Sequence, residues 1–417
     1  MKKIQQVLKR FGPGIITGAS DDDPSGIGTY TQAGALFGIR TLWTAPFSFP
    51  FMAAIQEISG RIGIVTGKGI ASIIRIHYSK KILLTCVMLL FVANTINIAA
   101  DIGAMAQSLQ LVMGGNFWMF ITAITAVTLF LQIHIPYKRY ASILKYLTLS
   151  LLAYVAVAYI TITDWKAILE AARTITIEPT RQYAAIIIAI LGTTISPYLF
   201  FWQADEEREE EIAHKVLKVT RNEPPHITTR AIQAMRLDTI AGMFASNLIM
   251  FFIIAAAATT LHVNGITDIQ TAKEAARALK PIAGPFAAIL FSLGIVGTGL
   301  LAIPVLSAST GYAIAEAGGY KTGLYLKFKH AKVFYGIIIA TTVIGALLNS
   351  LPIPPFTMLY VAATINGIVA VPIMIMMLAI ANNKNIMGQY TSGILSNTLA
   401  TTITIIMTTA TIAMIVL

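Results

Sequence analysis

GPGIITGASDDDPSGIGTYTQAGALFG, residues 12–38, is apolar toward both ends and interrupts its own helix in the middle. Three aspartates, Asp21, Asp22 and Asp23, are followed by Pro24, Ser25, Gly26 and Gly28. Proline brings no amide hydrogen and clashes with the preceding turn, while glycine frees the backbone to leave it. The segment is therefore expected to form two half-helices. At the break the last carbonyls of the first half lose their amide partners and carry the negative end of its dipole, beside up to three carboxylates. Such a place attracts a cation. Three charged aspartates facing lipid would cost on the order of 8 to 10 kcal/mol, so they are expected to face protein, water or an ion.

The pattern recurs further along. Gly192, Thr193, Thr194, Ile195, Ser196, Pro197 and Tyr198 interrupt a second apolar stretch with a glycine, a proline and hydroxyls. Two interrupted helices, each opening a block of spans, point to an inverted-repeat transporter with a site at mid-membrane. The ligands on offer there are oxygens: the aspartates, the Ser25, Thr193, Thr194 and Ser196 hydroxyls, and freed carbonyls. Oxygen donors suit hard ions such as Mg²⁺, Ca²⁺, Mn²⁺ or Na⁺, or protons, better than soft metals.

The whole chain supports a membrane setting. Of its 417 residues 56% are hydrophobic and 12% charged, against roughly 25% charged in soluble domains, too little polar surface to cover a water-soluble fold. Mean hydropathy is +0.73. Windows long enough to cross a hydrocarbon layer of about 30 Å recur along the chain. They are expected as eleven transmembrane helices at 11–37, 42–66, 81–113, 117–135, 142–163, 182–203, 237–262, 282–314, 331–350, 354–380 and 393–416. Residues 1–417 then form one membrane domain, with repeats at about 11–163 and 182–380 and an added helix at about 393–416. With the N-terminus in the cytoplasm, twenty-two lysines and arginines fall inside and seven outside, which follows the positive-inside rule and leaves the C-terminus outside. Met1–Arg10 is basic but is followed by no apolar run with a cleavage site, so it reads as the mature start. A net charge of +11 spread among apolar spans forms no nucleic-acid surface.

Other polar residues fall into groups. Asn94, Asn97 and Asp101, at i, i+3 and i+7 in the third span, share a helix face and read as a proton relay or a second ion site. Asn366, near Pro372 in the tenth span, is a further candidate ligand. Glu57 and Arg61 have the spacing of a structural ion pair. The acidic run Asp205–Glu211, before Pro224 and Pro225, is expected to be a solvated helix extension, and Trp165–Arg173 a short amphipathic surface helix. The six histidines lack the spacing of a metal pair, and Cys86 has no partner cysteine.

Residues 12–38 resemble the first helix of the NRAMP divalent-metal transporters, with Asp23, Pro24, Ser25 and Gly26 over that family's Asp-Pro-Gly-Asn motif. Ser196, Pro197 and Tyr198 fall on its Met-Pro-His motif, and Asp101 near an acid of its third helix linked to proton movement. The resemblance implies an all-α integral membrane fold with a LeuT-type 5+5 inverted repeat, broken helices 1 and 6, and metal uptake commonly coupled to protons. It also exposes departures: Gly26 replaces the family's metal-binding asparagine, Ser196 its methionine and Tyr198 its histidine. Without the thioether the set favours hard ions, as in a magnesium-transporting branch of NRAMP relatives.

The expected function is secondary transport of a divalent cation such as Mg²⁺ or Mn²⁺, proton-coupled, across the plasma membrane. Asp23 would bind the ion with Asp22, Ser25, Gly26, Thr193, Ser196, Tyr198 and Asn366 around it, and Asp101, Asn97 and Asn94 would form the proton pathway. The alternative is Na⁺- or H⁺-coupled transport of a small organic solute such as an amino acid or amine. No enzyme motif is present, no resident cofactor is expected, and the partners implied are the lipid bilayer and the transported ion or solute. The sequence leaves the oligomeric state open.

Overall fold

The computed structural model describes residues 12–135, 149–213 and 228–416. Among these there is no strand, and most of them are helical. In chain order the main helices are α1 Pro13–Asp21, α2 Pro24–Phe37, α3 Thr44–Thr66, α4 Ile70–His77, α5 Lys80–Met113, α6 Phe117–His134, α7 Leu152–Thr161 and α8 Trp165–Arg173. They continue with α9 Arg181–Thr194, α10 Pro197–Ala213, α11 Thr229–Thr260, α12 Ala287–Ala317, α13 Lys332–Leu348, α14 Pro355–Asn382 and α15 Ile394–Val416.

Seven helical stretches among the described residues are long and apolar enough to cross a membrane, from Lys80–Met113 to Ile394–Val416. The expected span at 142–163 is only partly described: α7 is bent by 118° from α8, so the two do not form one straight crossing. Met1–Arg10, the basic residues Lys138, Arg139, Lys145, Lys215, Lys218 and Arg221, and Pro224 and Pro225 lie outside the described residues. Outward-facing side chains such as Phe130, Leu237, Ile394 and Ile415 are apolar and exposed, as contact with hydrocarbon requires.

Both expected breaks are present, and the same chemistry makes each. Pro24 and Pro197 each stand at the first position of a new helix, where a missing amide hydrogen costs nothing. α1 and α2 run between α11, α5 and α14. Close backbone contacts set these neighbours. Gly18 lies against the backbone of Gly242 on α11, and Gly192 against that of Ala363 and Gly367 on α14, where a methyl group would collide with main-chain atoms. Small residues at such crossings allow the close approach that drives helix association in lipid. The Gly192–Gly367 contact also fixes the turn of α14 that carries Asn366.

One expectation is corrected. The acidic run is not a solvated extension: Asp205, Glu206 and Glu207 are buried. Arg208 reaches Asp205 at 3.3 Å and Glu316 of α12 at 2.8 Å, and Gln203 donates to Glu207 at 2.7 Å. Local partners on α10 and the distant Glu316, tied together by Arg208, allow this burial. Glu57 and Arg61 do pair, at 3.1 Å, and Arg236 joins Glu57 at 2.7 Å.

Candidate cation site

At the first break Asp23 is the N-cap of α2. Its Oδ1 accepts from the Ser25 hydroxyl at 2.6 Å and the Gly26 amide at 2.7 Å. That cap uses one carboxylate oxygen and fixes the orientation of the other. Oδ2 accepts from Asn97 Nδ2 of α5 at 2.9 Å, and the same Nδ2 donates to Asp101 Oδ2 at 3.2 Å. Asn366 Nδ2 of α14 donates to Asn97 Oδ1 at 2.8 Å. Asp23, Asn97, Asp101 and Asn366 are thus one connected group, and none is more than 1% exposed. Two buried oxygens in this group, Asp101 Oδ1 and Asn366 Oδ1, have no hydrogen-bond partner.

Asp21 and Asp22 face elsewhere. Both accept from the Ser246 hydroxyl of α11, at 2.6 and 3.1 Å. The three consecutive aspartates therefore split between two neighbours, because successive residues at a helix end project in different directions. Among the described residues no three histidine, cysteine, aspartate or glutamate side chains converge on one point. Among the described residues no lysine or arginine is paired with any of Asp21, Asp22, Asp23 or Asp101.

The second break contributes hydroxyls, but they are turned to the backbone. Ser196 Oγ donates to the carbonyls of Gly192 and Thr193, both at 2.8 Å, and Thr194 Oγ1 to that of Ile190 at 2.9 Å. Tyr198 donates across to the other break, to the Ser20 carbonyl at 3.1 Å. The Ser196 and Tyr198 bonds satisfy carbonyls that the interruptions freed. Thr193 lies against Gly26: a methyl group on Gly26 would sit 3.2 Å from Thr193 Oγ1 and 3.3 Å from the Asp21 carbonyl. Asn94, about 10 Å along α5 from Asp101, bonds instead to Leu306, Ser309 and Thr310 of α12.

Two residues escaped the sequence reading. Ser246, which holds Asp21 and Asp22, is one hydroxyl in an apolar helix and carries no local signal. Asp238 caps the start of α1, accepting from the Gly12, Gly14 and Ile15 amides at 3.1, 2.7 and 3.3 Å. Its favourable charge at a helix N-terminus is a contact between segments more than two hundred positions apart.

The family model for natural resistance-associated macrophage protein-like (Nramp) proteins matches residues 14–417. The chain belongs to the Nramp family. Among curated proteins it is 28% identical over 304 residues to the divalent metal cation transporter MntH of Klebsiella pneumoniae (strain 342), covering 72% of this chain and 69% of that one. To the MntH of Pectobacterium carotovorum it is 26% identical over 298 residues, covering 70% and 68%. Of solved structures, the Eremococcus coleocola manganese transporter is similar with a TM-score of 0.73 at 15% identity, over 97% of this chain and 86% of that one. The inward-facing form of Mhp1 is similar with a TM-score of 0.57 at 14% identity, over 97% and 88%. These likenesses establish the fold of this Nramp chain as LeuT-like. Its break-one carboxylate is Asp23, and its break-two positions are Ser196 and Tyr198, both engaged with main-chain carbonyls.

Proposed function

We propose that this Nramp chain is a secondary active transporter of divalent metal cations, taking a hard ion such as Mg²⁺ or Mn²⁺ and moving protons in the same cycle. The observation that carries the reading is the pair of buried carboxylates Asp23 and Asp101, joined through one amide at a helix break and without a basic partner among the described residues. A buried charge needs a counter-charge, and a divalent cation supplies it for both acids at once. The MntH relatives, named as divalent metal cation transporters, support it. The all-oxygen character of the surroundings argues for a hard ion.

In this reading eleven helices span the plasma membrane, with the N-terminus in the cytoplasm and the C-terminus outside. Five spans in 11–163 and five in 182–380 form the inverted repeat, and the last helix stands apart. Asp23 faces the ion, and Asp101, across Asn97, exchanges a proton as the ion enters or leaves.

The test is uptake of Mn²⁺ and Mg²⁺ into proteoliposomes by wild type and Asp23→Asn. Asparagine still caps α2 through its carbonyl oxygen, so the variant removes charge and leaves the fold. Uptake is expected to fall on the order of 100-fold or more, equivalent to about 2.7 kcal/mol. Unchanged uptake in Asp23→Asn would refute the site. A second reading, transport of a small organic solute such as an amino acid or amine, draws on the similarity to Mhp1, solved in its closed form with bromovinylhydantoin bound. It gains if wild type takes up no divalent ion.

A further inference from the structure

Asn97 is the hub of the buried group, and its position is chemically ambivalent. An amide has a donor end and an acceptor end on one planar group. In the arrangement seen, the donor end holds two carboxylates together, at 2.9 Å from Asp23 and 3.2 Å from Asp101, while the acceptor end meets Asn366 at 2.8 Å. The Asn366 oxygen shares a carbon with the nitrogen making that contact, so it borders the same group, and it has no partner. Asp101 Oδ1 has none either. Both unpartnered atoms are acceptors on fully buried side chains. A buried acceptor without a donor is costly, and two of them beside two carboxylates describe a place suited to a cation.

We propose that Asn97 is a ligand of the transported cation and a determinant of its selectivity: its amide turns end for end when a divalent ion enters between Asp23 and Asp101, presenting Oδ1 where Nδ2 now stands. The inference rests on the metal-transport reading above and deepens it. A half-turn about the last side-chain torsion exchanges the two ends without moving the helix, since that torsion is broad and roughly two-fold. The same half-turn points Nδ2 toward the nitrogen of Asn366, and a matching half-turn of Asn366 replaces that nitrogen with its unpartnered oxygen, which then gains a donor. The exchange therefore keeps one hydrogen bond between the two amides in both states. It also gives the site an amide oxygen, which Gly26, having no side chain, does not supply. Two carboxylates and an amide oxygen form a hard set, which discriminates in favour of Mg²⁺ and Mn²⁺ over soft ions.

The experiment is isothermal titration of the purified full-length protein with Mg²⁺, Mn²⁺ and Cd²⁺, using wild type, Asp23→Asn, Asn97→Leu and Asn97→Met. Leucine keeps the branching at Cγ and has no donor atom; methionine adds a thioether. Asn97→Leu is expected to weaken Mg²⁺ and Mn²⁺ binding about tenfold or more. Asn97→Met is expected to raise the Cd²⁺ to Mg²⁺ affinity ratio about tenfold above that of Asn97→Leu. A residue that only braces Asp23 would give the two variants the same ratio, and that result overturns the proposal, as does wild-type Mg²⁺ affinity in Asn97→Leu. If wild type binds none of the three ions, the transport reading itself falls. If wild type binds, Asp23→Asn does not, and the Asn97 variants match wild type, only the present inference falls. Should the Asn97 variants not fold, Mg²⁺-induced change in the amide carbonyl infrared bands of wild type, labelled at asparagine, reads the same turn, and no band shift on binding overturns it.

Discussion

Two acidic groups in this protein are alike in burial and opposite in electrostatics. In the middle of the bundle Asp21, Asp22, Asp23 and Asp101 are held only by hydroxyls and amides. Around α10 and α3, Asp205, Glu316 and Glu57 are equally withdrawn from solvent, but each meets a guanidinium: Arg208 for the first two, Arg61 and Arg236 for the third. Arginine supplies a fixed, always-charged, forked partner. Where the protein provides that partner, the acid serves the architecture. Where it withholds it, a mobile ion can supply the counter-charge, which is the condition for carrying one. The difference predicts opposite responses to mutation, with stability lost in one group and transport lost in the other.

The largest effect is expected at the compensated group. Arg208→Ala strands Asp205 and Glu316 in the interior and removes contacts to Thr322 as well. Breaking a buried pair from one side costs about 3 to 5 kcal/mol. Thermal or denaturant unfolding of the purified variant measures it, and wild-type stability would remove the distinction between the two groups. Divalent affinity per folded molecule is expected to stay within about threefold of wild type, since Arg208 touches none of the central acids.

Asp23→Asn should behave in the reverse manner. Uptake falls on the order of 100-fold, while stability without metal holds or rises, because a buried charge goes and the cap stays. Wild type, but not the variant, should also gain about 2.7 kcal/mol at a divalent concentration of 100 times Kd. A variant that loses several kcal/mol without metal would show Asp23 to be architectural, like Asp205.

Asp101→Asn is expected to give a smaller loss, about tenfold in uptake rate, together with a flattened dependence of uptake on external pH. Loss of rate with the pH profile unchanged would assign Asp101 to the ion alone and remove it from proton movement.

Much of the central group can be read from the sequence because its cause is local. Asp21 to Gly28 breaks a helix wherever it is placed, and Pro197 repeats the effect, so both interruptions stand where the residues put them. The seven-residue spacing of Asn94 and Asp101 gives a shared face on α5. What the spacing does not carry is the partner. Asn97 meets Asp23 across 74 positions, and Ser246 meets Asp21 across 225, contacts that only the packing of α5 and α11 against the break defines. The compensated group is misread for the same reason. Asp205–Glu211 has the composition of a solvated run, and its burial depends on Glu316, 108 positions from Arg208. Local signals locate breaks and charges; whether a charge is answered by the protein is a long-range property.

The second break gives the smallest and most discriminating test. Its serine stands at a position the family resemblance marks for a metal ligand, yet Ser196 Oγ is bonded to two carbonyls of its own helix end. Removing one hydroxyl that satisfies buried carbonyls costs about 1 kcal/mol, the net worth of such a bond. Ser196→Ala should therefore lose about that much stability and keep uptake within about threefold. The alternative is concrete: a serine that leaves its carbonyls to ligate the ion would make Ser196→Ala lose transport about as severely as Asp23→Asn. Mn²⁺ uptake measured side by side in the two variants decides between them. A large loss in both would spread the site over both breaks, whereas a large loss at Asp23 alone would put the ion on the side of α5, where Asn97 joins Asp23 to Asp101.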